Sequence, residues 1–334
     1  MSVTDLIQHK DVPIFEIAGD VTGRGGPIPP APSARVITMA SDNGYAAAAD
    51  ALPPSVNYHL WKPCNMRCAF CFATFDDVGA DVLPRGHIPR EQALPLVGLL
   101  AARFRKITFA GGEPTLCPWL LDLIDEARSG GATTMLVTNG TRLTPDSLDA
   151  LRDRLDWLTL SIDSGSQETH RLLGRAVNGK AIPSADYVAI AARARASGIR
   201  LKVNTVVTSL NAGEDLSALL AALGPERWKI LQALPVDGQN TGRIEPLVCS
   251  PAAFAAFVAR HRGLEQAGIR LVPEDHQAIV GSYAMVDPAG RFFDDVTGRH
   301  RYSEPILAAG LDVAWSQIAF SGNTFAARGG NYAF

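Results

Sequence analysis

The feature that most constrains the fold is a regular alternation of strand-like and helix-like segments that begins at Ser55. Short runs rich in β-branched and aromatic residues alternate with longer segments of helical period. The predicted strands are 56–61, 106–110, 133–138, 157–162, 200–207 and 227–234. The predicted helices are 90–103, 117–129, 145–153, 184–197, 213–223 and 251–267. These βα units predict an α/β fold with a parallel sheet and right-handed crossovers, closed or partly closed into a barrel.

The loop after the first strand carries Cys64, Cys68 and Cys71, spaced C-x3-C-x2-C. In barrels of this type the chemistry lies at the carboxyl ends of the strands. Three thiolates from one loop can hold three irons of a [4Fe-4S] cluster and leave the fourth iron open, whereas ferredoxin-type carriers use four cysteines. The alternatives are three structural cysteines or a zinc site short of one ligand, but zinc knuckles usually carry a second ligand pair, which this sequence lacks.

This cysteine motif resembles that of the radical S-adenosylmethionine (SAM) superfamily. The resemblance implies that SAM chelates the open iron, and that one electron from the cluster cleaves SAM to methionine and a 5′-deoxyadenosyl radical. It also implies a partial (βα)6 barrel of the radical SAM type, here with N-terminal and C-terminal extensions, which agrees with the periodicity.

The residues predicted to contact SAM follow the cysteine motif and the later strands. The Gly-Gly-Glu string after the second strand resembles the superfamily's GGE motif, which holds the amino group of SAM. An arginine together with a serine suits the SAM carboxylate, because a guanidinium can bind it through two hydrogen bonds. A plain turn and a solvated surface charge are the alternatives for the Asn139-Gly140 pair and for Arg175. The predicted SAM-binding residues are Phe70, Gly111, Gly112, Glu113, Asn139, Ser161 and Arg175.

Cations stand where a barrel core should be apolar. Strands of a buried parallel sheet usually read as continuous hydrophobic runs. Here Lys202 and Asn204 share one face of the fifth strand, Arg227 and Lys229 share one face of the sixth, and Lys106 opens the second. The predicted strands contain almost no acids that would pair with these cations. They therefore predict a polyanionic ligand in the barrel mouth, unless the side chains reach solvent from the strand ends.

Further strings resemble the viperin family of antiviral radical SAM enzymes and its prokaryotic members. The similarity runs from about Ser55 to the C-terminus, and the motifs occur in the same order. The strings are SVNYH (55–59), KVN (202–204), RWKILQ (227–232), LVPE (271–274), SY (282–283) and ARGGNY (327–332).

The resemblance implies conversion of a nucleoside triphosphate to its 3′-deoxy-3′,4′-didehydro analogue, a chain terminator of viral RNA synthesis. The radical takes the ribose 4′ hydrogen, and the 3′ hydroxyl leaves as water. Tyr283 is the candidate for proton delivery to this hydroxyl, with a structural phenol as the alternative. The base stays open among CTP, UTP and GTP, with CTP as the default. The residues implied to bind the nucleotide are Asn57, Lys106, Lys202, Asn204, Arg227, Lys229 and Arg328.

Composition limits the cellular setting. The formal net charge of −3 gives no general reason to expect nucleic acid as a partner. Five cysteines leave no disulfide framework once three of them hold a cluster, and Cys117 and Cys249 are expected to be packing residues. No signal peptide or long apolar stretch occurs, so a cytoplasmic location without membrane association is expected.

The chain is expected to divide into three parts. Residues 1–54 form a loosely ordered extension with candidate edge strands at 12–17 and 35–39, and they lack the amphipathic helix of animal viperins. Residues 55–267 form the barrel, and residues 268–334 form an extension that caps the nucleotide site. The cluster implies an electron donor of flavodoxin or ferredoxin type. The rival functions are a radical SAM enzyme acting on another phosphorylated substrate or a peptide, and a zinc-binding interaction protein.

Overall fold

The strands of the protein form one open sheet in the computed structural model, which describes residues 52–334. Its order is β10-β9-β8-β1-β2-β3-β4-β5-β6-β7. The candidate edge strands at 12–17 and 35–39 lie outside the described residues. The strands are β1 (Ser55–Trp61), β2 (Lys106–Gly111), β3 (Thr133–Thr138), β4 (Trp157–Ser161), β5 (Arg200–Val207), β6 (Arg227–Gln232), β7 (Arg270–Glu274), β8 (Met285–Val286), β9 (Arg291–Asp294) and β10 (Arg301–Pro305).

The helices connect the parallel strands and cover the sheet. The α-helices are α1 (Arg90–Ala101), α2 (Leu120–Ser129), α3 (Pro145–Leu151), α4 (Gln167–Leu172), α5 (Ser184–Ala196), α6 (Ser217–Leu223), α7 (Pro251–Arg260), α8 (His276–Ile279), α9 (Ile306–Ala309), α10 (Leu311–Ser316) and α11 (Gly322–Ala327). The prediction of one helix over 251–267 is wrong beyond Arg260, because the chain continues from Arg262 as a 3-10 helix.

All six predicted strands are present and run parallel, which confirms the α/β assignment. The sheet does not close into a barrel, since β7 and β10 are its two edges. The C-terminal part of the chain extends both sides of the sheet: β7 pairs with β6, and β8 pairs with β1 in parallel, whereas β9 and β10 are antiparallel. These later strands were not predicted, because a two-residue strand such as β8 shows no periodicity.

The alternation of side chains along β6 decides which face carries the cations. Trp228 is fully buried, donates its indole N–H to Thr205 Oγ1 at 2.9 Å and packs edge-on against Phe257 at 5.9 Å. Its neighbours Arg227 and Lys229 therefore point to the opposite face, since the side-chain period of a strand is two. The hydrophobic contact with α7 thus fixes the two cations on the side away from the helix.

The cysteine loop after β1 is held against the segment that follows α4. The backbone N–H of Arg67 donates to Gly174 O at 3.1 Å, and the N–H of Ala69 donates to Leu173 O at 3.0 Å. Gly174 has φ +76°, and a Cβ at this position would overlap the carbonyl oxygen of Arg67. Only glycine allows this close backbone approach.

We expect Gly174→Ala to displace the cysteine loop, lowering the thermal midpoint and reducing the iron bound after anaerobic reconstitution. Gly179→Ala is the matched control, because Gly179 has φ +74° but a Cβ at that position would have no other atom within 4 Å. Both variants introduce left-handed strain of about 1–2 kcal/mol, and only Gly174→Ala adds the clash. Equal iron content in the two variants would contradict the expectation.

Candidate active site

One cavity of about 290 Å³ brings together every residue that the sequence predicts for the cluster, SAM or the nucleotide. These residues come from β1, β2, β4, β5 and β6, from the loops after β1 to β4, and from the C-terminal segment around Tyr283 and Arg328. Parallel strands place their carboxyl ends at one edge of the sheet, which explains why side chains far apart in sequence meet here.

Cys64, Cys68 and Cys71 are free thiols on the wall of this cavity. Burial raises the pKa of all three, that of Cys68 to about 12, so their thiolates need a compensating positive charge. Among the described residues, no three His, Cys, Asp or Glu side chains converge on a point where one metal ion would fit. A [4Fe-4S] cube instead takes one thiolate at each of three separate irons, and this donor set fits it.

The Gly-Gly-Glu segment packs directly against the chain that leads into the cysteine loop. A Cβ at Gly112 would overlap the carbonyl oxygens of Lys62 and Pro63, and the Glu113 N–H donates to Pro63 O at 3.0 Å. Burial raises the pKa of Glu113 above its usual range. The Glu113 carboxylate is held in place, since it accepts hydrogen bonds from the backbone and side chain of Thr115, from Thr138 Oγ1 and from Asn139 N.

Asn139 connects the turn after β3 to the cysteine loop. Its side-chain NH2 donates to Asn65 Oδ1 at 2.8 Å, and its Oδ1 accepts hydrogen bonds from the N–H and hydroxyl of Thr141. The side chain thereby supports the cysteine loop, a contact that the sequence prediction did not include. Its proposed contact with SAM stays a prediction.

Arg175 forms a buried ion pair with Asp163, a residue that sequence reasoning did not assign. The pair is formed through Arg175 Nε, and Asp163 Oδ1 accepts from Val206 N at 2.8 Å. The guanidinium lies 5.5 Å from the ring centroid of Phe70, inside the cysteine loop. Its terminal nitrogens make no hydrogen bond to another described residue, so they can bind an anion. Asp163 could have been found from the sequence, because it follows Ser161, the last residue of β4, by two positions.

The predicted cations form a second part of the cavity, here called the cation group: Lys106, Lys202, Arg227, Lys229 and Arg328. The expectation that no internal acid pairs with them is wrong for two members. Glu274, at the end of β7, is fully buried and lies 2.7 Å from Lys229 Nζ and 3.2 Å from Arg328 Nη1. Glu274 ends the LVPE string (271–274), but sequence reasoning assigned it no role, because a carboxylate near a strand end has no pattern of its own.

Tyr283 contacts Glu274 and both of the cations that pair with it. Its hydroxyl donates to Glu274 Oε2 and accepts from Lys229 Nζ at 2.6 Å, while the Arg328 guanidinium lies 3.7 Å from its ring centroid. Burial raises the pKa of Tyr283 well above its usual value, so the phenol stays protonated. Burial also lowers the pKa of Lys229 to about 8, although Glu274 opposes this shift.

Lys202 and Asn204 are the least compensated polar groups in this part of the cavity. Lys202 is buried, and within residues 52–334 no carboxylate lies within 4 Å of its ammonium. Burial, together with Lys229 and Lys106, lowers its pKa well below the usual value. Asn204 Oδ1 is buried and has no hydrogen-bond partner in the same part of the chain. A bound anion would supply the charge that Lys202 lacks.

The C-terminal residues cover two members of the cation group. Tyr332 accepts a hydrogen bond from Lys106 Nζ at 2.6 Å, and the guanidinium of Arg227 lies 3.9 Å from its ring centroid. The ring of Phe334 lies 4.3 Å from Lys106 Nζ. Such ring faces stabilise cations. Tyr332 ends the ARGGNY string (327–332), but the sequence does not predict that it lies in this site.

Comparisons with known proteins agree with this geometry. The family model of the Radical SAM superfamily matches residues 60–221. The S-adenosylmethionine-dependent nucleotide dehydratase of Flammeovirga pacifica is 45% identical over 280 residues, covering 84% of this chain and 95% of its own. The chain belongs to the viperin family of nucleotide dehydratases.

Other members of the viperin family show the same relation. The S-adenosylmethionine-dependent nucleotide dehydratase of Lacinutrix mariniflava is 46% identical over 281 residues; the match covers 84% of this chain and spans 58% of that relative's length. The dehydratase of Danio rerio is 33% identical over 290 residues, covering 84% of this chain and 78% of its own. The resemblance found in the sequence is confirmed, and with it the superfamily's cofactors, a [4Fe-4S] cluster and SAM.

Solved structures support the fold. SuiB of Streptococcus suis bound to SAM aligns with a TM-score of 0.56 at 14% identity, covering 72% of this chain and 60% of that one. Native anSMEcpe with bound SAM aligns with a TM-score of 0.57 at 17% identity, covering 73% and 74%. The radical SAM fold of this viperin-family chain is therefore confirmed. In the described part of the chain, every helix is too short or too polar to span a membrane.

The buried lysines predict how stability depends on pH. A lysine with a depressed folded-state pKa holds its proton less tightly than the unfolded chain, where lysine titrates near 10.4. The unfolded state then binds more protons at these lysines, so we expect their contribution to the free energy of unfolding to rise from pH ~8 to ~10. The buried cysteines oppose this contribution, because they stay protonated in the folded chain while thiols of the unfolded chain ionise near pH ~8.5. The lysine contribution is therefore measured as the difference between the wild-type protein and a variant that lacks one of the lysines. The lower limit is the Lys229 pKa of about 8. The upper limit is set by tyrosines, which ionise near pH 10 in the unfolded chain, whereas Tyr283 stays protonated when folded.

Lys202→Met lacks the Lys202 share of this contribution, so its free energy of unfolding should increase less with pH than that of the wild-type protein. At pH 7 the variant should be more stable by roughly 1–4 kcal/mol, because the substitution removes a buried charge. Inorganic tripolyphosphate should raise the thermal midpoint of the wild-type protein more than that of the variant. Lys180→Met, at an exposed lysine, is the control and should change neither quantity. Denaturant melts across the pH range and thermal melts with tripolyphosphate measure them. An equal tripolyphosphate response in wild type and Lys202→Met would argue against an anion at Lys202.

Proposed function

We propose that this chain dehydrates a nucleoside triphosphate to its 3′-deoxy-3′,4′-didehydro analogue. The observation that carries the proposal is the buried, uncompensated Lys202 within a cation group that shares one cavity with three cluster-type cysteines. When bound, the reduced cluster and SAM supply a 5′-deoxyadenosyl radical, which takes the ribose 4′ hydrogen. A peptide substrate would have no use for the cation group, and a zinc scaffold would not need the SAM-site residues.

The positions of the cation group and of the cysteine loop along the strands support one orientation of the nucleotide in the cavity. Lys106 and Arg227 begin β2 and β6, whereas the cysteines and the Gly-Gly-Glu segment follow the ends of β1 and β2. The triphosphate therefore binds toward the amino ends of the strands, where the cation group neutralises it. The ribose lies between the cation group and the cofactor. Asn204, whose Oδ1 has no partner in the described residues, accepts a hydrogen bond from the nucleotide.

We assign Tyr283 as the proton donor to the leaving hydroxyl, because its phenol lines the cavity and stays protonated. The phenolic proton, which is donated to Glu274 in this structure, then turns to the substrate oxygen. The C3′–O bond breaks, the oxygen takes the phenolic proton and leaves as water, and one electron from an external donor completes the C3′–C4′ double bond. The phenolate that forms is stabilised by Lys229 and Arg328, which contact the phenol already in this structure. Lys229, with its depressed pKa, then returns a proton to the phenolate.

The cellular role follows from the chemistry of the product. A triphosphate without a 3′ hydroxyl cannot be extended by a polymerase, so the product terminates viral RNA chains in antiviral (phage) defence. Electrons come from a donor of flavodoxin or ferredoxin type in the cytoplasm, and neither nucleic acid nor a membrane is a partner. CTP is the default substrate, and residues 268–334 cap the occupied site.

The direct test is an anaerobic assay of the reconstituted, dithionite-reduced protein with SAM and each of CTP, UTP, GTP and ATP separately. We expect 5′-deoxyadenosine to form in a nucleotide-dependent manner, together with a nucleotide product lighter by one water. Liquid chromatography with mass detection follows both products. Background SAM cleavage with all four nucleotides, despite an intact cluster, would rule out this substrate class and favour another radical SAM activity.

Tyr283→Phe should lower kcat for the dehydrated product by roughly 10²–10⁴-fold, the usual contribution of a positioned general acid. Nucleotide binding should change little, since the cation group is intact. 5′-Deoxyadenosine should still form, so the ratio of deoxyadenosine to dehydrated nucleotide should rise well above that of the wild-type enzyme. If product and deoxyadenosine fall together and their ratio is unchanged, Tyr283 has only a structural role.

A further inference from the structure

His59 is a buried polar residue of the cavity wall that the proposed reaction does not use. It lies on β1, two residues after Asn57 and on the same face, and its side chain lines the cavity. The residue is 4% exposed, and neither Nδ1 nor Nε2 has a hydrogen-bond partner within residues 52–334. Buried polar atoms in folded proteins almost always have a partner. Among the described residues that line the cavity, only His59 has two such atoms, which points to a ligand.

The surroundings of His59 favour an uncharged ligand group over a charged one. Its ring contacts Phe72, Phe75 and Phe293 edge-on, at centroid distances of 5.9, 5.5 and 5.6 Å. Burial, with a smaller effect from His300, lowers the pKa of His59 to about 3, so the ring is neutral at physiological pH. A neutral imidazole offers one N–H donor and one acceptor nitrogen. This pair suits an uncharged ring edge that carries its own donor and acceptor.

The position of His59 separates it from the other two parts of the cavity. Four members of the cation group lie on β5, on β6 and just after α11, whereas Lys106 lies at the start of β2, beside Ser55 rather than beside His59. The predicted SAM residues follow β1 to β4 or lie at their ends. His59 belongs to a third wall, formed by β1, β8 and the chain just after Cys71. In the sheet order, β8 and β1 are separated from β5 and β6 by three strands. Around His59 this wall is apolar or aromatic, with Phe72, Ala73, Ala284 and Met285, and its polar residues Ser55 and Asn57 lie earlier on β1.

We infer that His59 hydrogen-bonds the edge of the nucleobase and selects which base the enzyme accepts. This inference rests on the proposed function and specifies its substrate site. A nucleotide with its triphosphate on the cation group and its ribose near Tyr283 extends its base to this third wall. Phe72 is 38% exposed and lines the cavity, so its ring face is free to stack on the base. A base with the wrong edge would leave the imidazole unpaired and bind less well.

The test compares His59→Phe with the wild-type holoenzyme, using CTP, UTP and GTP as separate substrates. Phenylalanine fills the space of the ring within an aromatic cluster and removes both polar atoms. We expect kcat/KM for the preferred nucleotide to fall roughly 5- to 150-fold relative to the other two, the usual range for losing a buried hydrogen bond. Iron content and the Kd for SAM should be unchanged.

The matched control is His300→Phe, because His300 is buried in the same aromatic cluster but does not line the cavity. It should leave the order of nucleotide preference unchanged. An equal loss with all three nucleotides in His59→Phe, or no loss, would overturn the inference. If His59→Phe fails to fold, His59→Gln decides, since it keeps a donor and an acceptor in changed positions: altered preference supports base contact and unaltered preference refutes it. A wild-type enzyme that consumes none of the nucleotides would instead overturn the proposed function itself.

Discussion

The arrangement of the cavity depends on positive charge that the protein itself compensates only in part. Glu274 pairs with both Lys229 and Arg328, one carboxylate against two cations, and the aromatic C-terminal residues cover Lys106 and Arg227. Lys202 is buried with neither kind of partner in the described residues. Because each buried ammonium weakens its neighbours' hold on a proton, the group is least favourable when empty of anions. In the proposed function, a triphosphate would relieve all of these repulsions at once, so the same uncompensated charge that lowers stability would provide substrate affinity.

The open sheet gives these charges their position relative to the cofactor site. The inward residues of β5 and β6 carry the cations because Trp228 and its neighbours pack outward against α7. The loops after β1 and β2 meet where glycines allow backbone to contact backbone, which holds the cysteines beside Glu113. The residues proposed to bind the nucleotide and those predicted to bind the cofactor thus lie in different parts of one cavity. C-terminal residues complete the walls, since β7 supplies Glu274 and the chain before β8 supplies Tyr283.

Sequence reasoning recovered the parts of this site that follow from local patterns. The six strands, the cysteine spacing, the Gly-Gly-Glu turn and the cations at alternate positions of β5 and β6 are all readable over a few residues. Family resemblance added Tyr283 and Arg328, which no periodicity marks. The reasoning missed Asp163 and Glu274 because a carboxylate near a strand end has no pattern of its own. It also extended α7 too far, because helical periodicity alone does not show where an α-helix gives way to a 3-10 helix.

The sequence by itself determined the strands of the parallel core, the cluster loop and the faces on which the cations lie, because side-chain direction follows from strand period. Only the tertiary structure decided which charges are paired. Glu274 meets Lys229 and Tyr283 because β7 pairs with β6 and the chain before β8 runs beside β1, and His59 is isolated by rings that arrive from separate segments. These contacts join residues far apart in the chain, and packing of the whole sheet sets their distances.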